Sequence, residues 1–235
     1  MGCGISTMAR QSGPSTTELD DDWGGKVTMG KIKNNFDKEF LPADKIEIYT
    51  TSDIIRDVLG KEYKSKSQIR KLEEYIRTRP AKLSFLILVS IYRVPWMKSL
   101  ADPKSKFGDV DLPTLDIVND CLVVRRGQKD VKISFGDGNL SLGKDLNDMR
   151  LFNHERWSFL APVFTTAKFY QELDDRVPLP FMNVPDTTTR NGSFGTVRKV
   201  ELHHAHQSDI IRASGSLQNP RGLRITTRLL TDNTE

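Results

Sequence analysis

Asn191-Gly192-Ser193-Phe194-Gly195-Thr196-Val197 has the form of a nucleotide-phosphate loop. Glycines on either side of a Ser-Phe pair let backbone N–H groups approach phosphate oxygens with no Cβ in the way, and the valine two positions on supplies an apolar wall for a base. The same pattern also fits a plain β-hairpin with small residues at its tip. Both readings need strands on either side, so the spacing predicts strands over 181–184 and 196–202.

The flanking segments sharpen this reading. Upstream stand Trp157-Ser-Phe-Leu-Ala-Pro-Val-Phe164, Tyr170-Gln-Glu-Leu173 and Pro178-Leu-Pro-Phe181; downstream comes Val197-Arg-Lys-Val-Glu-Leu-His203-His-Ala-His206. Their order resembles the opening of the catalytic domain in a fungal family of large protein-kinase-domain proteins. Leu83-Ser-Phe-Leu-Ile-Leu-Val-Ser-Ile91 and Asp111-Leu-Pro113 are similar to that family's N-terminal region, so the resemblance covers roughly residues 45–206. Against G-x-G-x-x-G-x-V, Gly192, Gly195 and Val197 fill the second and third glycines and the valine, and Arg190 stands at the first glycine.

The resemblance implies that the full-length relative uses ATP and magnesium to phosphorylate Ser, Thr or Tyr hydroxyls. It makes Gly192, Ser193, Phe194, Gly195 and Val197 the nucleotide-binding residues. The catalytic parts do not follow. No lysine occurs after Lys199, and the chain has no His-Arg-Asp and no Asp-Phe-Gly. No catalytic residue is therefore assigned, ATP and magnesium are not expected to bind tightly, and the chain reads as truncated or divergent after Gln207.

The amino terminus carries a second signal. Met1-Gly2-Cys3-Gly4-Ile5-Ser6 places Gly2 and Ser6 for myristoylation and Cys3 for palmitoylation. One myristoyl chain holds a protein only marginally at a bilayer, with a binding constant on the order of 10⁴ M⁻¹, and Cys3 would supply the second anchor. The start is similar to that of fungal G-protein α subunits, but no G-x-x-x-x-G-K-[ST] loop follows. The expected location is the cytoplasmic, membrane-associated face, with the membrane surface as partner and a protein partner compatible with it. This leaves open a reading from another class, a membrane-anchored binding or regulatory module without nucleotide chemistry.

Composition narrows the alternatives. Hydrophobic residues make up 37% of the 235 and charged residues 28%, so a core is expected over part of the chain only. The 35 basic residues against 31 acidic give a net charge of +4, too even a balance to indicate nucleic acid. Two cysteines, Cys3 and Cys121, make no disulfide framework; Cys121 reads as a small buried apolar residue. Residues 1–25 lack the apolar stretch of a secretory signal, and the apolar run from Leu83 to Tyr92 is about half of the roughly 20 residues a membrane span needs.

Along the chain, the expected organisation is α+β. Residues 1–25 read as a disordered, acylated arm, with Asp20-Asp-Asp22 a solvated charge run. Residues 26–156 read as an α-rich domain. Within it, Thr51-Ser52 begins a helix carrying Ile54, Ile55, Val58 and Leu59, residues 67–79 form a second with Ile69, Leu72 and Ile76, and residues 82–93, apolar on nearly every face, read as a buried third, their β-branched content leaving a strand open. A turn at 126–130 leads into a strand over 131–135, and Phe135-Gly-Asp-Gly lacks the further oxygen ligands of a calcium loop. Residues 157–207 read as a connector and the first strands of an incomplete kinase-like N-lobe. His203, His204 and His206 read as a solvated turn, not a metal cluster. Residues 208–235 read as a disordered tail unable to supply a third strand.

Overall fold

The computed structural model describes residues 22–78, 81–127, 129–133, 142–165, 172–182, 190–192, 195–207 and 224–229. The architecture is α+β, as the sequence predicts. In chain order come α1 (Trp23–Met29), the short pair β1 (Ile32–Lys33) and β2 (Glu39–Phe40), α2 (Ala43–Tyr49), α3 (Ser52–Glu62), α4 (Lys66–Thr78), α5 (Lys82–Ser90) and α6 (Met97–Leu100). A three-stranded antiparallel sheet follows, β3 (Leu115–Val118), β4 (Cys121–Arg126) and β5 (Lys129–Ile133), then α7 (Leu142–Glu155). A second sheet holds β6 (Phe181–Met182), β7 (Arg190–Gly192), β8 (Gly195–Leu202) and β9 (Arg224–Leu229).

Helix α5 reads Lys-Leu-Ser-Phe-Leu-Ile-Leu-Val-Ser, apolar on nearly every face. Such a helix has no polar stripe to turn to water and must be enclosed. Residues 84–89 are all buried. Helices α1, α2, α4 and α7 all pack against it, and the apolar faces of α3 (Ile55, Val58, Leu59), α4 (Leu72, Ile76) and α7 (Met149, Phe152) join it in one continuous core. Burying a side chain of this size is worth about 1.5–3 kcal/mol, so the six-residue buried run alone makes α5 the largest local contribution. The expected faces of α3 and α4 are the ones buried, with Ile54 and Ile69 partly so. Thr51 sits at the start of α3 but makes no side-chain capping bond.

Both ends of α5 are tied by groups distant in sequence. Its start has only Ala81 at the cap, and Asp109, from the 3-10 turn Asp109–Thr114, fills the gap. The carboxylate accepts the N–H groups of Leu83 and Ser84, each at 2.9 Å, and the Ser84 hydroxyl at 2.6 Å. Burial nevertheless outweighs these donors and pushes the Asp109 carboxyl up to about 6. In the same turn, buried Asp111 takes a two-pronged contact from Arg126 (2.8 and 2.6 Å), which fastens the turn to the end of β4. Beyond the other end of α5, Arg93 holds Asp148 of α7, its Nη2 donating to Oδ1 at 2.9 Å.

Three expectations are corrected. Order begins at α1, inside the expected 1–25 arm, because Asp22 acts as a helix cap and not as a solvated charge: its Oδ1 accepts the Gly25 N–H at 2.9 Å, and the Tyr92 hydroxyl donates to it at 3.0 Å. A Cβ on Gly24 would lie 2.5 Å from the exposed Tyr92 ring, so a larger residue there would make that ring swing away from Asp22. Second, Cys121 is half-buried and not buried, because it sits at the first position of β4 beside the tight turn Asn119-Asp120, whose φ values are both positive (50° and 59°). Third, Arg224–Leu229 of the tail forms β9, paired antiparallel with β8. Its β-branched run Ile225-Thr226-Thr227 suits a pleated strand, a preference that its low apolar content concealed. The remainder of the tail and the acylation residues Gly2 and Cys3 lie outside the described residues.

The segment from Asn34 to Ala43 joins the helical body to the second sheet. Asn35 N–H donates to the Phe181 carbonyl at 3.0 Å and the Asn34 side chain donates to the Leu179 carbonyl at 2.8 Å, while Leu41 N–H donates to the Ser158 carbonyl at 2.8 Å within the body. Nearby, two guanidinium groups lie over the Trp157 ring, Arg156 at 4.3 Å and Arg176 at 4.2 Å from its centroid.

Candidate functional site: a glycine-rich hairpin on a histidine base

Strands β7 and β8 form the expected antiparallel hairpin. The register pairs Arg190 with Val197, Asn191 with Thr196 and Gly192 with Gly195, so the chain reverses over two residues between the two glycines. Those two residues, Ser193 and Phe194, lie outside the described residues. Thr196 and Val197 also pair with Leu229 and Arg228, which puts β9 on the opposite edge of β8 from β7. By the same argument β6 shares an edge with β7, since Glu201 pairs with both Met182 and Arg224.

Between the pairs Met182–Glu201 and Arg190–Val197, β8 advances four residues while the opposite chain advances eight. The two stretches on that edge are therefore out of step by four residues. Sequence reasoning expects one strand over 181–184 leading to the loop; the structure has β6 at 181–182, residues 183–184 being outside the described set, and a separate β7 at 190–192.

One row across the sheet reads Arg190, Val197, Arg228. The sequence reading places Arg190 alone beside the loop, because it discounts the tail as a third strand; β9 adds Arg228 at the matching register position. Lys199 pairs with Thr226 further down the same strand pair. Among the described residues, no group of three or more His, Cys, Asp or Glu is placed to hold a metal ion.

The base of the hairpin is where the structure departs most from the sequence reading. The chain leaves β8 into the 3-10 turn His204–His206, and His206 is buried, only 1% exposed. Its Nε2 accepts the N–H of Ala43, the first residue of α2, at 3.2 Å, and its Nδ1 lies 2.9 Å from the Pro162 carbonyl oxygen. A carbonyl only accepts, and Nε2 is already accepting, so the neutral ring carries its proton on Nδ1. The preceding residue, Pro42, has no side-chain donor or acceptor, so the imidazole satisfies an N–H that α2 leaves open. Phe40 packs edge-on against both His206 (5.2 Å) and His203 (5.9 Å), and His203 lies 4.3 Å from His204.

The solvated turn read from sequence is thus a buried clasp at His206. The physical reason is that a 3-10 turn, not an extended strand, follows Leu202, which turns His206 inward against α2. Burial, and then the neighbouring His203, lower the proton affinity of His206 below the ordinary 6.5; burial and His204 do the same for His203. No spacing in the sequence marks this pairing, since 163 positions separate His206 from Ala43.

No protein-family model matches the chain, and no curated protein or solved structure matches it either. Among the described residues, no helix is long and apolar enough to cross a membrane.

The clasp makes stability pH-dependent with a definite sign. The native state holds the His206 proton less tightly than the unfolded chain, so between the lowered native value and about 6.5 the unfolded chain binds more protons. This contribution is complete above about 6.5 and is lost as the pH falls through the native value. Asp109 acts oppositely, its raised value withdrawing stability as the pH rises through about 6. Comparing wild type with His206→Ala isolates the clasp. Denaturant unfolding at pH 7.5 should show a loss of about 1–3 kcal/mol in the variant, and the gap should narrow at pH 5. A gap that is constant or widens on acidification would contradict the buried, neutral assignment.

Proposed function

We propose that this chain carries the opening of a protein-kinase-like N-lobe on an α-rich body and does not itself transfer phosphate. The single observation supporting the reading is the antiparallel hairpin that turns between Gly192 and Gly195, the geometry in which a glycine-rich loop can offer backbone N–H groups to phosphates. The third strand β9 beside β8 is compatible with it. Arg190 and Arg228 in the row of Val197 provide residue types suited to phosphate oxygens, which supports weak anion affinity.

Transfer needs more than affinity. Positioning and charge stabilisation supply nearly all of the rate in phosphoryl transfer, through a strand lysine, metal-holding carboxylates and a catalytic aspartate. The sequence contains no lysine beyond Lys199, no His-Arg-Asp and no Asp-Phe-Gly, so the residues present do not fit magnesium-ATP and no transfer step is assigned to them. Titration calorimetry of the full chain with ATP and magnesium is expected to show little heat, with turnover at background. A dissociation constant in the low micromolar range, abolished by Gly195→Val, would overturn the proposal in favour of an active, divergent kinase.

The proposal places the protein at the cytoplasmic face of a membrane through acylation of Gly2 and Cys3. Asp22, which caps α1, follows Gly2 by 20 positions. The same anchor serves the alternative of a non-catalytic binding or regulatory module. Gly2→Ala is expected to move the protein to the soluble fraction and Cys3→Ser to weaken retention partway, because one acyl chain is marginal where two are stable. Undiminished membrane recovery of Gly2→Ala would exclude the anchor.

A further inference from the structure

The chain's charge is nearly balanced, but its distribution is not. A cleft of about 740 Å³ opens between α4, the α6 region with the turn after it, and the end of β5. Four lysines line it from separate elements: Lys71 on α4, Lys98 on α6, Lys104 in the following turn and Lys132 on β5. All four are exposed. Among the described residues none of them is in an ion pair, whereas Lys31, Lys61 and Lys82 each have a carboxylate partner. Among the described residues the single carboxylate in the lining is Asp102, and its Oδ1 already accepts the backbone N–H of Lys104 at 2.9 Å.

The rest of the lining fixes the shape without competing for charge. Leu72 and Ile133 are buried members of the core and form an apolar floor. Tyr75 is spoken for, its hydroxyl donating to the carbonyls of Leu100 (3.1 Å) and Phe107 (2.7 Å), which braces the wall. By contrast, the cleft of about 670 Å³ beside Trp157 mixes cations with Asp37, Glu39, Glu155 and Asp175 and has no such excess of one sign.

Four ammonium groups facing one cleft repel each other, and a low-dielectric wall focuses their field on whatever enters. A single phosphate, carrying at most about two negative charges near neutral pH, leaves half of that charge unmet. Because the lysines come from four directions, the complementary ligand presents anionic groups on several sides. Lysine, a compact point charge on a flexible stem, suits such a ligand without demanding the planar geometry of arginine. Among the described residues Tyr75 is the one aromatic in the lining and has its hydroxyl committed to the protein, so they offer no series of rings to stack successive bases.

We infer that this cleft binds a compact anion bearing several phosphate groups, of the inositol-polyphosphate class, either free or as a lipid headgroup. The site is separate from the Gly192–Gly195 hairpin and stands whether or not the hairpin binds nucleotide.

The test uses the full chain, with inositol trisphosphate in solution in one arm and vesicles containing phosphatidylinositol bisphosphate in the other. The triple variant Lys71→Gln/Lys98→Gln/Lys132→Gln is compared with Lys33→Gln/Lys129→Gln, which removes exposed lysines outside the cleft lining. The substituted side chains are exposed, so thermal midpoints should stay within a few degrees of wild type, and the melt itself checks that each variant folds. Exposed charge contacts are individually modest, so the triple variant should bind on the order of tenfold more weakly while the control pair stays near wild type. Binding in solution alone identifies a soluble ligand, and binding to the vesicles identifies a lipid headgroup. No binding in either arm, or equal losses in the triple variant and the control pair, overturns the assignment.

Discussion

The fold depends on one constraint, that helix α5 has no face it can show to water. Once six consecutive residues from Ser84 to Val89 must be covered, the apolar stripes of α3, α4 and α7 have a common target, and α1 and α2 close the remaining sides. Enclosing a helix this way raises the problem of its unsatisfied N-terminal donors, which water can no longer reach. Asp109 meets it from 25 residues away, and Asp111 with Arg126 fixes the turn that carries Asp109. The β3–β4–β5 sheet is thereby drawn onto the helical body, with Leu122, Val124 and Ile133 entering the same core.

The hairpin that suggests a function is held by a different kind of contact. Its own second core is small, built from Phe181, Val200 and Leu202 with Phe164 and Leu179 packed against it. What ties its base to the body is mostly directional: the His206 imidazole between α2 and Pro162, the Phe40 edge contacts and the backbone bond of Asn35 to Phe181. Hydrogen bonds of this sort net about 0.5–1.5 kcal/mol each, against several times that for the enclosure of α5. The sheet therefore sits on the body by a set of modest contacts, one of which, the His206 clasp on α2, acid weakens.

How much of this is legible in the sequence follows the range of the interactions. Helical periodicity marks α3 and α4, an unbroken apolar run marks α5, and the two-glycine spacing marks the β7–β8 hairpin, because each of these signals is local. Asp22 as a cap and Asp109 as a remote cap are not legible, since an aspartate that caps a helix and one that faces solvent look alike until their partners are placed. Helix α7 has only Met149 and Phe152 as its buried apolar residues beyond residue 145, too sparse a stripe to stand out. His206 is the sharpest case. A run of three histidines in four positions suggests a metal or a wet turn, and only the fold shows that one of them completes the first turn of a helix 163 positions away. The lysine cleft is invisible for the same reason, its four cations being scattered from residue 71 to residue 132.

The account claims a body organised by α5 and a hairpin base secured locally by His206. Amide hydrogen exchange on wild type and His206→Ala tests this most directly, because exchange reports opening residue by residue. The account predicts that the Ile87, Leu88 and Val89 amides exchange slowest and stay slow in the variant relative to its own global stability, while the Ala43 amide loses its protection. Retained protection at Ala43, or exchange of the α5 amides before those of the second sheet, would contradict it.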